Sequence, residues 1–190
     1  GSADVTLLTV WLQRPEVTAA IARLVLNGNT ITNYGKDLSG LTALCDVLPA
    51  LKNPISLELA NCNLKVAEVN ELARAMAAGG ALNSVTVDST GDTKDRWGDW
   101  RNGGPKTYTL TAGEETLELS SKNLGSADVT LVAAWLTTSA GGAIARLVLN
   151  GNMITNKGKD LSGLTALCDV LPTLKNPISL ELANCNLKVA

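Results

Sequence analysis

Alternate apolar positions recur along the chain as Leu24-x-Leu26, Leu57-x-Leu59, Val85-x-Val87, Leu117-x-Leu119, Leu147-x-Leu149 and Leu180-x-Leu182. A period of two over so short a span predicts a strand with one face buried. Between these stretches the apolar period lengthens to that of a helix. In SADVTLLTVWL it places Val5, Leu8, Trp11 and Leu12 on one stripe. In DLSGLTALCDVL, ahead of Pro49, it places Leu38, Leu41, Leu44, Cys45 and Leu48. EVNELARAMAAGGAL repeats the pattern with Val69, Leu72, Ala73 and Met76 and stops at Gly79 and Gly80, residues that end helices. The predicted order is strand, helix of about ten to fourteen residues, strand.

Whole phrases recur as well. GSADVTL at Gly1 returns at Gly125, IARLVLNGN at Ile21 returns at Ile144, and GKDLSGLTALCDVLP at Gly35 returns at Gly158. The offset is 124 residues at first and 123 later, one residue being lost where QRPEVTAA is replaced by TTSAGGA. From Asn33 to Ala67 only two of thirty-five positions differ from the later copy, Tyr34 against Lys157 and Ala50 against Thr173. The chain therefore reads as one module of about 123 residues followed by the first half of another, with 1–67 matching 125–190.

Each alternating stretch extends into a longer template, in which Asn29, Cys62, Asn152 and Cys185 occupy the sixth position, Lys122 departs from it, and Val85-x-Val87-x-x-Thr90 is a degenerate copy. With that copy included, the stretches are spaced 28 to 33 residues apart. This resembles the L-x-L-x-x-[N/C]-x-L signature of leucine-rich repeat proteins, of the longer ribonuclease-inhibitor-like kind, over nearly the whole chain. The resemblance implies an α/β leucine-rich-repeat solenoid, a single horseshoe over residues 1–190 with about six parallel strands on its concave face and helices on its convex face. In the family the sixth side chain points inward and satisfies backbone groups where the strand turns away. The family's usual ligand surface is the concave face, which here implies Asn27, Glu58, Asn61, Asp88, Glu118, Ser120, Asn150 and Glu181 as partner-binding residues. Glu58, Asp88, Glu118 and Glu181 would form an acidic ridge suited to a basic peptide; a face that is merely solvated is the competing reading.

One segment breaks the rhythm. Residues 91–115, GDTKDRWGDWRNGGPKTYTLTAGEE, carry no apolar stripe and are punctuated by Gly98, Gly103, Gly104 and Pro105, which predicts an irregular loop insertion. Arg96, Trp97, Trp100, Arg101 and Tyr108 form an aromatic and basic cluster there, of the residue types most enriched at binding hot spots. Alternatively, the two indoles fold back over core that the missing helix leaves bare. The nearby Asp88, Asp92, Asp95 and Asp99 do not have calcium-loop spacing, since Gly91 is misplaced and no Glu follows at the twelfth position.

Composition narrows the chemistry. With no Phe, four Trp and two Tyr, the core must be aliphatic, and the 45% hydrophobic content suits thin regular layers. The net charge is −2, from sixteen basic and eighteen acidic residues, and so supplies no field drawing the chain to nucleic acid or an anionic membrane. No apolar run is long enough to span a bilayer. There is no His, which removes the commonest general base and imidazole metal ligand together. No nucleophile elbow, P-loop or dinucleotide fingerprint is present. Neither enzyme activity nor a metal or cofactor is expected. The four cysteines lack C-x-x-C spacing, two sit at the inward template position and two on a helix stripe, and all are expected to be buried and reduced. Together with a start that lacks the basic flank of a signal peptide, this mildly favours an intracellular setting.

The expected function is a non-catalytic interaction module binding a protein or peptide through the concave strands or the tryptophan loop. The alternative is a structural scaffold in which near-identical modules of a longer array stack end to end, because the first helix and last strand each lack a cover.

Overall fold

A computed structural model describes residues 1–80 and 82–187. The last three residues of the second ISLELANCNLKVA, and with them the expected bare edge past Ala190, lie outside the described residues. The helices are α1 (Ser2–Leu12), α2 (Pro15–Ala20), α3 (Ser39–Val47), α4 (Val66–Ala77), α5 (Ser126–Thr137) and α6 (Ser162–Val170). The strands are β1 (Arg23–Val25), β2 (Ile55–Glu58), β3 (Leu82–Asp88), β4 (Thr107–Thr111), β5 (Thr116–Glu118), β6 (Arg146–Val148) and β7 (Ser179–Glu181).

The strands form two sheets, one ordered β1-β2-β3-β4 and one ordered β5-β6-β7. The leucine-rich-repeat solenoid with about six parallel strands on one face is therefore overturned. The reason lies in β4, which falls within the segment expected to be a loop. It pairs antiparallel with β3 from Ser84 opposite Thr111 to Asp88 opposite Thr107 and so takes the edge that a further parallel strand would need. The sequence KTYTLT carried the signal, since Thr, Tyr and Leu alternate there with the burial of a strand. β5 instead starts a fresh parallel ladder with β6, and β6 pairs with β7.

The expected helices form, and α2, begun by Pro15, adds to them. α1 packs on α3, α3 on α4, α4 on α5 and α5 on α6. The approach is closest at Gly40 and Gly163, where a Cβ would run into the backbone carbonyls of Ser2 and Ser126. These serines accept the first-turn N–H groups of Gly40 and Gly163, both at 2.7 Å, so each helix start is satisfied by its neighbour.

The template's sixth position behaves as the local chemistry requires. The Cys62 thiol donates to the Leu26 carbonyl at 3.0 Å and the Cys185 thiol to the Leu149 carbonyl at 3.1 Å. The Asn152 amide donates to the Leu119 and Leu149 carbonyls at 2.8 Å and accepts from the Leu124 N–H at 3.0 Å. The flanking turn residues Asn61, Asn63, Asn184 and Asn186 adopt left-handed backbone, which Asn tolerates.

The cysteines need one correction. Cys45, Cys62 and Cys185 are buried, but Cys168, the copy of Cys45, is exposed. α4 packs on α3 beside Cys45, and burial pushes that thiol up to about 12. One thiol should therefore react rapidly with an aromatic disulfide reagent in the native state and be lost in Cys168→Ser, while the other three react only on unfolding.

Candidate functional site

The tryptophan segment is an ordered platform. Asp92 is buried among N–H donors, accepting from Gly104 at 2.6 Å, from Thr93 at 2.8 Å and from Asn102 at 3.1 Å. Asp95 accepts from the Trp97 and Asp99 amides at 2.8 and 3.1 Å, which closes a tight turn through Gly98 that is tied by a bridge between Lys94 and Trp100. The Asn123 amide reaches the Gly104 carbonyl at 2.7 Å and Lys106 reaches the Ser121 carbonyl at 2.8 Å, which clamps the loop to the turn after β5. These carboxylates are spent on backbone donors. Among the described residues no three Cys, Asp or Glu side chains converge as a metal site.

The cluster expected here divides. Trp97 and Trp100 are exposed, with the Arg96 guanidinium 4.0 Å from the first ring and Lys94 Nζ 5.1 Å from the second. Arg96 and Arg101 are exposed beside them. Tyr108 is buried, and its hydroxyl donates to Asp128 at 2.9 Å, so it belongs to the core and offers nothing to a partner. Burial, then the Asp128 charge, holds the Tyr108 hydroxyl well above its ordinary value. Desolvation likewise raises Asp128 against the donors around it.

The acidic ridge is also altered. Glu58 is paired with Arg23 at 2.5 Å and accepts from Asn27 at 2.9 Å; Glu181 is paired with Arg146 at 2.6 Å and accepts from Asn150 at 3.0 Å. Those hydrogen bonds, the arginine's first, hold both carboxyls below the ordinary glutamate range. Asp88 accepts from the Asn61 amide and the Thr107 hydroxyl, both at 2.6 Å, and Glu118 accepts from the Ser120 amide at 2.9 Å. Glu58 and Glu181 are thus matched by arginines, whereas Asp88 and Glu118 accept from neutral donors and keep their charge. The eight residues divide between the two sheets: Asn27, Glu58, Asn61 and Asp88 lie on or just after strands of the first, and Glu118, Ser120, Asn150 and Glu181 on or just after strands of the second.

What the fold does bring together is half of the first set with the loop. Asn61 and Asp88 line a groove of about 400 Å³ with Lys65, Trp100, Pro105 and Thr107. A second groove, of about 580 Å³, shares Lys65, Trp100 and Pro105 with the first and is also lined by Tyr34, Val66 and Lys94. Tyr34, Val66 and Lys65 were not singled out from the sequence. The usable signal was Tyr34, which the second copy replaces by Lys157.

No protein-family model matches the chain, and no curated protein matches it. Among the described residues no helix is long and apolar enough to cross a membrane.

Proposed function

We propose that the chain is a non-catalytic module that binds a protein partner, holding an extended peptide segment across the Trp100 ridge. Its support is an exposed indole on a base fixed by the buried Asp92, with Gly104 so close beneath that an added Cβ would lie 3.3 Å from the ring. A rigid aromatic flanked by two grooves loses little entropy on binding, which is what makes Trp a hot-spot residue. Tyr34 and Val66 offer an apolar wall, and Lys65 and Lys94 suit a carboxylate on the bound segment.

Replacing Trp97 and Trp100 together by Ala should leave the melting temperature nearly unchanged while weakening partner binding by at least about thirty-fold, the size of a hot-spot truncation. The check is a binding isotherm for a protein identified by pull-down with the unaltered chain, alongside thermal melts. Undiminished affinity, or loss of folding, would overturn the proposal.

A further inference from the structure

The duplication supplies a comparison inside one molecule, because β1 recurs unchanged in β6 and α1 recurs in α5 with only Leu8, Thr9 and Val10 replaced, by Val132, Ala133 and Ala134. α5 lies between α4 and α6, whereas α1 has the counterpart of α6, namely α3, and no counterpart of α4. The difference in burial follows the helix register. Leu7 is 72% exposed where Leu131 is 0%, and Trp11 is 46% exposed where Trp135 is 0%. Ala3 is exposed where Ala127 is buried, and Val25 on β1 is exposed where Val148 on β6 is buried.

The polar positions agree. Asp128 accepts from the Thr90 amide at 2.8 Å, the Thr90 hydroxyl at 2.7 Å and the Tyr108 hydroxyl at 2.9 Å, whereas Asp4 is exposed. Asn152 holds the Leu119 carbonyl and Leu124 amide of the preceding strand and turn, whereas Asn29 is exposed and bonds only the Leu26 and Asn27 carbonyls of its own turn. A Cβ on Gly125 would lie 2.9 Å from the Gly91 Cα, while one on Gly1 would meet nothing nearer than the Asp4 carboxylate at 3.8 Å. In the second copy the partners in these hydrogen bonds and in the Gly125 approach all lie within residues 66–124.

We infer that the uncovered face of α1 and β1, centred on Leu7, Trp11 and Asp4, is a docking surface for a further unit built like residues 66–124. That unit brings an α4-type helix onto the Leu7 and Trp11 stripe, a Thr and a Tyr hydroxyl onto Asp4, and a strand carbonyl onto Asn29. A second copy of the chain in its folded form does not fit, because its own α4 already lies between α3 and α5 and its Tyr108 hydroxyl is committed to Asp128. This surface is separate from the Trp100 ridge and does not depend on it.

The test is a chain with residues 1–124 joined ahead of Gly1, so that Leu124 precedes Gly1 as it precedes Gly125 in the natural sequence. Both chains are labelled with 5-fluorotryptophan, and the Trp11 fluorine resonance is assigned by its loss in Trp11→Phe. In the unextended chain at several concentrations, Trp11 should be open to a soluble quencher while Trp135 is shielded. In the extended chain Trp11 should become as shielded as Trp135, and the melting temperature should rise. The inference is overturned if Trp11 stays open in the folded extended chain, or if that chain melts below the unextended one. It is equally overturned if Trp11 of the unextended chain becomes shielded as concentration rises, since a second intact copy would then be the occupant.

Discussion

Asp128→Ala lowers folding stability by about 3–5 kcal/mol, the cost of leaving several buried neutral donors without their shared acceptor. The carboxylate is buried and accepts from Thr90 twice, from Tyr108 and from the Gly125 amide at 2.7 Å. Alanine leaves these donors without their acceptor, and each unsatisfied buried donor costs about 1–3 kcal/mol. For a chain of this size the melting temperature should fall by roughly 6–20 °C. Asp4→Ala is the internal control: the sequence around it is the same, but the side chain is exposed, and the melt should stay in place. Equal losses in the two variants would show that the Thr90 and Tyr108 contacts do not carry the effect.

Trp135→Ala should cost about 3–5 kcal/mol, as large-to-small changes at fully buried aromatic positions do. Trp135 is 0% exposed, sealed between α4 and α6. Among the described residues its indole Nε1 has no hydrogen-bond partner, so Trp135→Phe gives up packing without breaking a bond and should cost clearly less than the alanine change. Trp11→Ala, in the exposed copy, should fall within about 0.5 kcal/mol. Urea titration checks all three, with an unchanged denaturant slope showing that the unfolded state is not what moved.

The periodicity of the chain located most of its elements. DLSGLTALCDVL became α3 and α6, and EVNELARAMAAGG became α4, because a helix with one apolar stripe is a local pattern that packing then confirms. The sheet was misjudged for a nonlocal reason. Whether β3 accepts a parallel or an antiparallel neighbour depends on which strand reaches its edge, and KTYTLT reached it before β5 could. Gly and Pro punctuation around that strand outweighed its threonines in a reading from the sequence.

The binding residues divide along similar lines. Trp97 and Trp100 were visible as exposed types in a polar loop. Tyr108, only a few residues further on, is indistinguishable by composition, and becomes core because Asp128 on α5 accepts its hydroxyl. Of the carboxylates that read as an acidic ridge, Glu58 and Glu181 are paired with arginines that only register places beside them, as with Arg23 opposite Ser56 and within reach of Glu58. Identical segments such as the one ending at Cys45 and its copy ending at Cys168 have opposite exposure, which sequence cannot encode, since the difference lies entirely in the neighbours.

The hairpin of β3 and β4 also bears on how such a chain avoids misfolding. Tandem copies of one sequence risk exchanging strands, because a wrong partner offers the same side chains as the right one. Here the two versions of each duplicated strand, β1 with β6 and β2 with β7, are sorted into different sheets, and the seven-residue strand β3 is capped by a segment that has no duplicate. The unrepeated stretch gives the otherwise ambiguous chain a fixed reference point, from which each copy has one sheet to join.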